Sequence, residues 1–490
     1  MTRSNPPVAL AAAGTATFLT MLDATAVSIA APRLTEDLGA SLDELMWVFN
    51  AYVLVLAVTL ITGGRLGDLL GARRTFLTGL AIFTVASGLV WFAAAPLALI
   101  VLRAVQGLGA ALLMPQAIVI VGMVYPRERL GAAFGVLSSL AGVASVLGPT
   151  VGGVLVTTLG WKWIFLVNVP AGVLGAVLTL AGVPRDVPPG RRRLDLRGVL
   201  LCFSGLFLVS YGLIEGQRYD WGRIGSFVSV PLVIAAGLVL LAAFGVSQRG
   251  RPHALVPPSL LRDRAFVMTN LVAGFTAFAL LGFYLPLTLY LQFARGMPAD
   301  RAGLALAAMP LVSMVTALVA GRLVDRIGGK RVLMAGLAAF TAGLAATALV
   351  AGSGTSAWAL QPGLLVIGLG TGLTFPPMTT LAMRDVPHGA AGAAAGVFNS
   401  TRHLGNVMSA AAVGALLQNR IAAALPREGG GRWRAAIEAA DLDGRSRTYT
   451  EALRPTLLLS VALLAAALAC AAALPPGRRE RAAPELARRA

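Results

Sequence analysis

Gly64-Arg65-Leu66-Gly67-Asp68-Leu69-Leu70-Gly71-Ala72-Arg73-Arg74 returns later in the chain as Gly321-Arg322-Leu323-Val324-Asp325-Arg326-Ile327-Gly328-Gly329-Lys330-Arg331, with six of the eleven positions identical. Each stretch is a short polar loop between two long apolar runs. Each follows the second helix of a three-helix group. Self-similarity at this separation implies two structural repeats. Parallel repeats that enclose a site at the membrane midplane are the architecture of a rocking transporter.

The rest of the chain supplies the helices that such repeats need. It has 490 residues, of which 57% are hydrophobic and 13% charged. A soluble chain of this length carries about 25% charged residues. The deficit demands that most of the chain lie in lipid. A helix crosses the hydrocarbon core with roughly 20 apolar residues. That ruler predicts spans at 8–31, 45–63, 75–95, 97–121, 132–158, 161–181, 198–216 and 222–246. Six more follow at 266–291, 302–320, 332–351, 358–381, 392–417 and 455–474. The first run resembles a signal peptide at its start, but it is too long for one and carries Asp23, so it reads as a membrane helix.

The predicted fold is therefore an all-α polytopic membrane protein of 14 transmembrane helices, arranged six, two and six. Residues 1–181 form an N-terminal six-helix bundle, and 182–265 hold two extra helices with cytoplasmic linkers. Residues 266–475 form a C-terminal six-helix bundle with an extracellular loop at 418–454, and 476–490 form a basic cytoplasmic tail. The termini and the loops on their side hold 25 Lys and Arg, against six in the short loops opposite: Arg33, Lys162, Arg218, Arg223, Arg295 and Arg301. The positive-inside rule puts both termini in the cytoplasm. The loop at 418–454 disagrees, with seven arginines against five acids. Long loops cross with less regard to charge. Gly429, Gly430 and Gly431 make part of it flexible, and Ala435 to Ala440 suit a short surface helix.

A net charge of +18 invites a nucleic-acid reading, but the basic residues sit in short loops between apolar runs rather than on one domain. Cys202 and Cys470 both lie in apolar stretches, and His253, His388 and His403 are scattered. No disulfide framework, metal cluster or cofactor follows from them.

Several motifs in order carry a specific resemblance. Gly64 to Arg74 looks like the signature loop of the major facilitator superfamily. Leu102-Arg103-Ala104-Val105-Gln106-Gly107 in span four resembles its conserved arginine motif. Gly142-Val143-Ala144-Ser145-Val146-Leu147-Gly148-Pro149, then Gly152-Gly153, resembles the motif of its drug exporters. Leu22-Asp23-Ala24-Thr25-Ala26-Val27 and Trp161-Lys162-Trp163-Ile164-Phe165 before Asn168-Val169-Pro170 complete the set. Together they resemble the fourteen-helix drug:proton antiporter family. The resemblance implies an exporter of drugs or antibiotics in a bacterial cytoplasmic membrane. The chain is expected to act as a monomer, with protons, a small-molecule substrate and the lipid bilayer as its partners and no nucleic acid.

Asp23 is the first candidate for chemistry. An ionised carboxylate in a membrane helix is costly, so it faces a cavity or a partner. Binding a proton lowers that cost. Asp23 is thus a candidate proton-coupling site and a counter-charge for a cationic substrate; the alternative is a structural carboxylate near the outer end of span one. Arg103 shares a helix face with Gln106. The resemblance implies a part for Arg103 in proton relay; the alternative is a snorkelling arginine near the cytoplasmic interface. Asn399, Arg402, His403 and Asn406 make one polar stripe on span thirteen. In some members of the family this helix contributes an acid that binds dicationic drugs. This span has no acid, which argues against dications. His403 is a candidate titrating group near neutral pH or an interhelical hydrogen-bonding group. Phe275, Tyr284 and Phe398, with Phe278, Phe283, Tyr290 and Phe375, are candidates for an aromatic pocket or for lipid-facing packing. The expected substrate cavity is built from Asp23, Gln106, Asn399, Arg402, His403, Phe275, Tyr284 and Phe398.

Asp68 and Asp325 are each expected to accept from the N-terminus of the following helix, where the dipole favours a carboxylate. With Gly64, Arg65, Gly71, Arg73, Arg74, Gly321 and Arg331 they form a conformational latch. The alternative is charge that only fixes topology. Gly148-Pro149 is expected to break the ladder of span five, since proline lacks the amide donor. Gly142, Gly152 and Gly153 permit close helix approach, and the five together suit a gate. Glu215 is an interfacial charge or a second proton site. No Gly-x-x-x-x-Gly-Lys-Ser/Thr loop is present, which argues against a self-contained ATP pump. The expected function is proton-coupled export of small amphipathic compounds. An uncoupled facilitator and a dedicated exporter of one endogenous metabolite are the alternatives. A membrane-embedded enzyme would need a nucleophile–base pair or metal ligands, and neither is seen.

Overall fold

The computed structural model describes residues 5–185, 194–225, 227–251, 253–352, 355–424 and 442–475. Among them the long elements are all helices: α1 (Pro6–Leu38), α2 (Leu42–Leu70), α3 (Ala72–Leu89), α4 (Pro96–Val124), α5 (Leu130–Thr158), α6 (Lys162–Gly182) and α7 (Leu196–Glu215). They continue as α8 (Val230–Ser247), α9 (Arg264–Leu289), α10 (Ala299–Ile327), α11 (Gly329–Val350), α12 (Ala357–Met383), α13 (Ala391–Ala424) and α14 (Leu442–Ala472). Thirteen are long and apolar enough to cross a membrane. The other, α13, carries Asn399, Arg402, His403 and Asn406 and is more polar along its length. The all-helical polytopic fold expected from the sequence is the one observed.

The repeated loops fold alike because the same residues meet the same demands. Gly71 has φ 98° and ψ 142°, and Gly328 has φ 93° and ψ 144°. This region excludes a Cβ, which is why glycine recurs at the eighth position of each loop. Two positions on, Arg73 donates to the Leu180 carbonyl at 2.9 Å, near the end of α6. Its repeat partner Lys330 donates to the Ala472 and Leu474 carbonyls at 2.8 and 2.6 Å, at the end of α14. Each loop thus ties down the sixth helix of its own bundle, where unpaired carbonyls favour a cation.

Two seams join the halves, α2 against α13 and α5 against α10. They are equivalent under the repeat. Glycines set their closeness. A Cβ on Gly64 would collide with the Gly392 carbonyl, and one on Gly321 would meet the Gly131 carbonyl at 2.5 Å. Both contacts lie at the end of the bundle that carries the repeated loops.

The extra pair α7–α8 packs through Gly205 and Gly212 on one helix and Gly237 on the other, as small residues permit. Val230 and Gly237 are the buried residues of α8, whose sequence is apolar all round. That suits lipid. Phe203, Phe207 and Tyr211 stack along α7, and Tyr211 stacks on Trp47 of α2. Gln217, just past α7, donates to the Ala411 carbonyl of α13 at 3.4 Å. Glu215 is buried against Arg218 at 3.4 Å, and Arg218 reaches Asp43 of α2 at 2.7 Å.

Several helix boundaries differ from expectation. Helix α8 starts at Val230 rather than 222, because Asp220 and Trp221 take positive φ and Ser229 caps Leu232 ahead of Pro231. Helix α6 breaks at Val167, where Pro170 has no amide to give the Leu166 carbonyl. Helices α13 and α14 run on to Ala424 and from Leu442, into the segment 418–454. A ruler of apolar length sees only the lipid-immersed part of a helix. Gly429 to Gly431, Ala435 to Ala440 and the tail 476–490 lie outside the described residues.

Asp195, ahead of α7, caps Gly198 and accepts from Gln248 at 2.9 Å and Arg251 at 2.8 Å. Gln248 in turn accepts from the Leu255 and Val256 amides. Burial raises the pKa of this carboxyl, but the Gln248, Gly198 and Arg251 contacts outweigh it and hold the value below the ordinary one. A carboxyl lowered in the folded state adds stability that is full above its unfolded pKa and lost as pH falls through the folded one. The thermal midpoint of Asp195→Asn is expected to lie below wild type at neutral pH and to meet it below about pH 4. A gap that persists unchanged in acid would refute the assignment.

Candidate functional site

The densest buried polar cluster sits between α1, α3, α4 and α6. Asp23 and Arg103 are 1% and 2% exposed and form an ion pair. Arg103 also donates to Gln106 at 3.0 Å and to the Val48 carbonyl at 3.2 Å. Asn168 donates to Asp23 at 3.2 Å, and Gln106 donates to Ser87 at 2.6 Å. The Arg103 guanidinium lies 4.4 Å from the Tyr52 ring centre and 5.8 Å from that of Phe165. The arginine does not snorkel to an interface. Burying a guanidinium requires partners of this kind. Asn168 stood in a sequence motif without a role of its own, and Ser87 was not singled out. The break at Val167 is the signal that could have found Asn168, because it opens a helix turn beside α1.

A separate cavity of about 230 Å³ lies between the halves. Thr17, Thr20 and Met21 of α1 line it, with Ser138 and Ser145 of α5 opposite Ser313, Thr371 and Thr379 of the second half. Of the expected cavity residues, Asn399 and Arg402 line it, together with Phe375. Asp23 and Gln106 do not; they are consumed by the Arg103 network. Phe398 is fully buried and Tyr284 is 41% exposed, and neither reaches the cavity. Phe275 packs into the core of the second half, and His403 is absent from the lining. Apolar helices offer aromatic side chains to every direction, so type alone did not orient these four. The missed hydroxyls recur at three- and seven-residue spacing, Thr17 with Thr20 and Ser138 with Ser145, which is one helix face.

The repeated aspartates bind helices, but not the ones expected. Asp68 accepts from the Gly392 and Ala393 amides at 2.7 and 2.9 Å, at the start of α13. Asp325 accepts from the Gly131 and Ala132 amides, each at 2.9 Å, at the start of α5. Both carboxylates therefore reach across to the opposite half rather than to the following helix. The following helix begins at Ala72, directly after Gly71. Arg65 is buried 3.7 Å from Asp68. Arg74 and Arg331 are exposed at the same face.

The α5 glycines divide. Gly142 lines the cavity and faces Met314 of α10, while Gly148 and Gly152 press on Thr25 and Ala26 of α1. Gly153 has open space beside it and Pro149 is exposed. The helix is continuous from Leu130 to Thr158 with Pro149 inside it, so the ladder lacks that one amide without the helix ending there. Proline removes a single amide, and the remaining ladder carries the helix through it.

The model of the Major Facilitator Superfamily matches residues 13–410. The chain is 34% identical over 447 residues to the probable actinorhodin transporter of Streptomyces coelicolor, covering 89% of this chain and 74% of that one. It is 34% identical over 464 residues to a puromycin resistance protein of Streptomyces alboniger, covering 93% and 88%. The crystal structure of the human organic anion transporter MFSD10 superposes with a TM-score of 0.65 at 14% identity, covering 94% of this chain and 100% of that one. At that identity the likeness concerns the fold.

Two expectations follow. Breaking a buried pair by removing one partner costs about 3–5 kcal/mol. Asp23→Leu and Arg103→Leu should each lower the thermal midpoint in detergent, and the double variant should lose less than their sum. Strict additivity would mean that the two charges do not depend on each other. A carboxylate at a helix N-terminus contributes about 0.3–2 kcal/mol. Asp68→Asn and Asp325→Asn should therefore each open the loop-bearing end, read as a longer distance between spin labels on α5 and α10. Unchanged distances in both variants would remove the latch.

Proposed function

The chain belongs to the Major Facilitator Superfamily, and from that premise we propose that it exports small amphipathic compounds across a bacterial cytoplasmic membrane in exchange for protons. The relatives named above are an antibiotic transporter and an antibiotic resistance protein, and their names support cargo of that kind. Residues 1–181 and 266–475 are the two moving bodies, 182–265 ride with them, and one chain is the working unit. The excess of basic loops on the side of the termini supports a cytoplasmic placement for that face. The closed seams then make this the outward-facing state, with the cytoplasmic end latched.

The observation that carries the coupling is the burial of Asp23 against Arg103, within a turn of Thr20 and Met21 in the cavity wall. Protonating Asp23 removes the charge that compensates Arg103. The arginine must then find other acceptors, and α1 and α4 must shift to supply them. Helix α1 presses on α5 through Gly148 and Gly152, so a shift of α1 is felt at the seam with α10. The proton and the cargo bind at different places, so coupling runs through the preference of each for one conformation. Asp23 is the proton site, Arg103 its partner, and the cross-half aspartates hold the latched state until α1 moves.

Proteoliposomes holding the full chain test this. An imposed proton gradient should drive uphill movement of a tested antibiotic, and collapsing the gradient should stop it. Asp23→Asn should lose the driven component. Uphill export that survives collapse of the gradient would sink proton coupling, and full driven export by Asp23→Asn would remove Asp23 from it.

A further inference from the structure

The central cavity has one ionisable side chain in its wall, and it is a cation. Arg402 of α13 lines the space, and the remaining lining residues are hydroxyl, amide or apolar. Its guanidinium is steadied 5.1 Å from the Phe375 ring centre and 5.9 Å from that of Phe398. Its Nε is buried without a hydrogen-bond partner, and among the described residues no carboxylate pairs with it. The nearest candidate acid in sequence-based reasoning was Asp23, but that charge is already neutralised by Arg103 outside the cavity.

A cation held in a membrane-embedded space with no counter-ion is costly, and it stays charged. The cost falls when a ligand brings the missing negative charge. A guanidinium presents paired donors that fit a carboxylate or sulfonate with two parallel bonds, and Arg402 brings its head to the cavity wall. Stacking on two rings fixes its plane without satisfying its donors. Facing it, Met114, Ile118, Phe134 and Leu137 supply an apolar wall. Asn399 lies one helical turn before Arg402 on the same face and adds an amide.

We propose that the cargo is an amphipathic anion, whose carboxylate, sulfonate or phenolate oxygen is held by Arg402 and whose apolar body lies against α4 and α5. The assignment rests on the export reading and narrows it. It excludes lipophilic cations as preferred cargo, because no acid in the wall would receive them and Arg402 would repel them. Arg402 sets the sign of the cargo, and Phe375 and Phe398 hold it in place. The proton site remains apart, at Asp23.

The test uses proteoliposomes of the full chain under an inward proton gradient, with probes of fixed charge. The anions are 8-anilinonaphthalene-1-sulfonate and fusidate; the cations are ethidium and tetraphenylphosphonium. Wild type should move the anions faster than the cations. Arg402→Gln should lower the anion-to-cation ratio about tenfold or more, the scale of a lost charged hydrogen bond. Arg402→Lys, which keeps the charge but not the fork, should fall between. Asn399→Asp keeps Arg402 and places an acid beside it, so it should lower the ratio as Arg402→Gln does. This variant covers the case in which Arg402→Gln does not fold. Wild type that drives the cations and ignores the anions overturns the inference and leaves export standing. A ratio unmoved by both Arg402→Gln and Asn399→Asp does the same. Gradient-driven movement of none of the four probes counts against export itself and removes the inference with it.

Discussion

Asp68 and Asp325 each sit at the end of one helix and receive the unpaired amides at the start of a helix from the other half of the molecule. Four hydrogen bonds of 2.7 to 2.9 Å result. These amides have no acceptors within their own helices. In lipid, where water cannot serve them, an external acceptor is required. The two halves therefore complete each other's helices. Gly64 against Gly392 and Gly131 against Gly321 let the backbones come close enough for the carboxylates to reach. Arg73 and Lys330 fix the sixth helices from the same loops. One eleven-residue pattern, used twice, thus anchors its own bundle and closes on its neighbour.

The contact runs between the two halves. Its donors lie at the loop-bearing end of the bundle. The Asp23–Arg103 pair is different. It is buried within one half, with both side chains enclosed and no route to water in this state. Each charge there is met inside the protein by the other and by Gln106, Asn168 and the Val48 carbonyl. The central cavity is lined apart from both of these charge contacts.

Fold class was legible because lipid imposes a single ruler on every span, and because the repeated loop dates each half against the other. The repeat also located the glycines whose positive φ turns the chain. What the sequence does not carry is direction. Asp23 and Arg402 both read as membrane charges, yet one is sealed against Arg103 and the other faces the cavity. That difference depends on how α1 and α13 are rotated, and hydropathy is blind to rotation when a helix is apolar on most sides. Phe275, Tyr284 and Phe398 failed as cavity residues for the same reason. Asp68 and Asp325 were read as helix-terminal acceptors, but their partners are hundreds of residues away and local spacing could not name them. The hydroxyls of the wall, Thr17 with Thr20 and Ser138 with Ser145, lie on single faces of α1 and α5, and uncharged hydroxyls are too common in membrane helices to mark a cavity by themselves.

The α7–α8 pair breaks the likeness of the halves. Two seams are equivalent by repeat, yet α7 leans on α2 and touches α13, beside one of them only. Among the described residues nothing comparable rests beside α5 and α10. Leu147, Val151 and Val154 on the one, and Leu311, Val315 and Val319 on the other, are exposed. A molecule dissolved in the bilayer thus meets a shuttered flank on one side and a bare one on the other, and a carrier built from matched halves acquires a sidedness within the plane of the membrane.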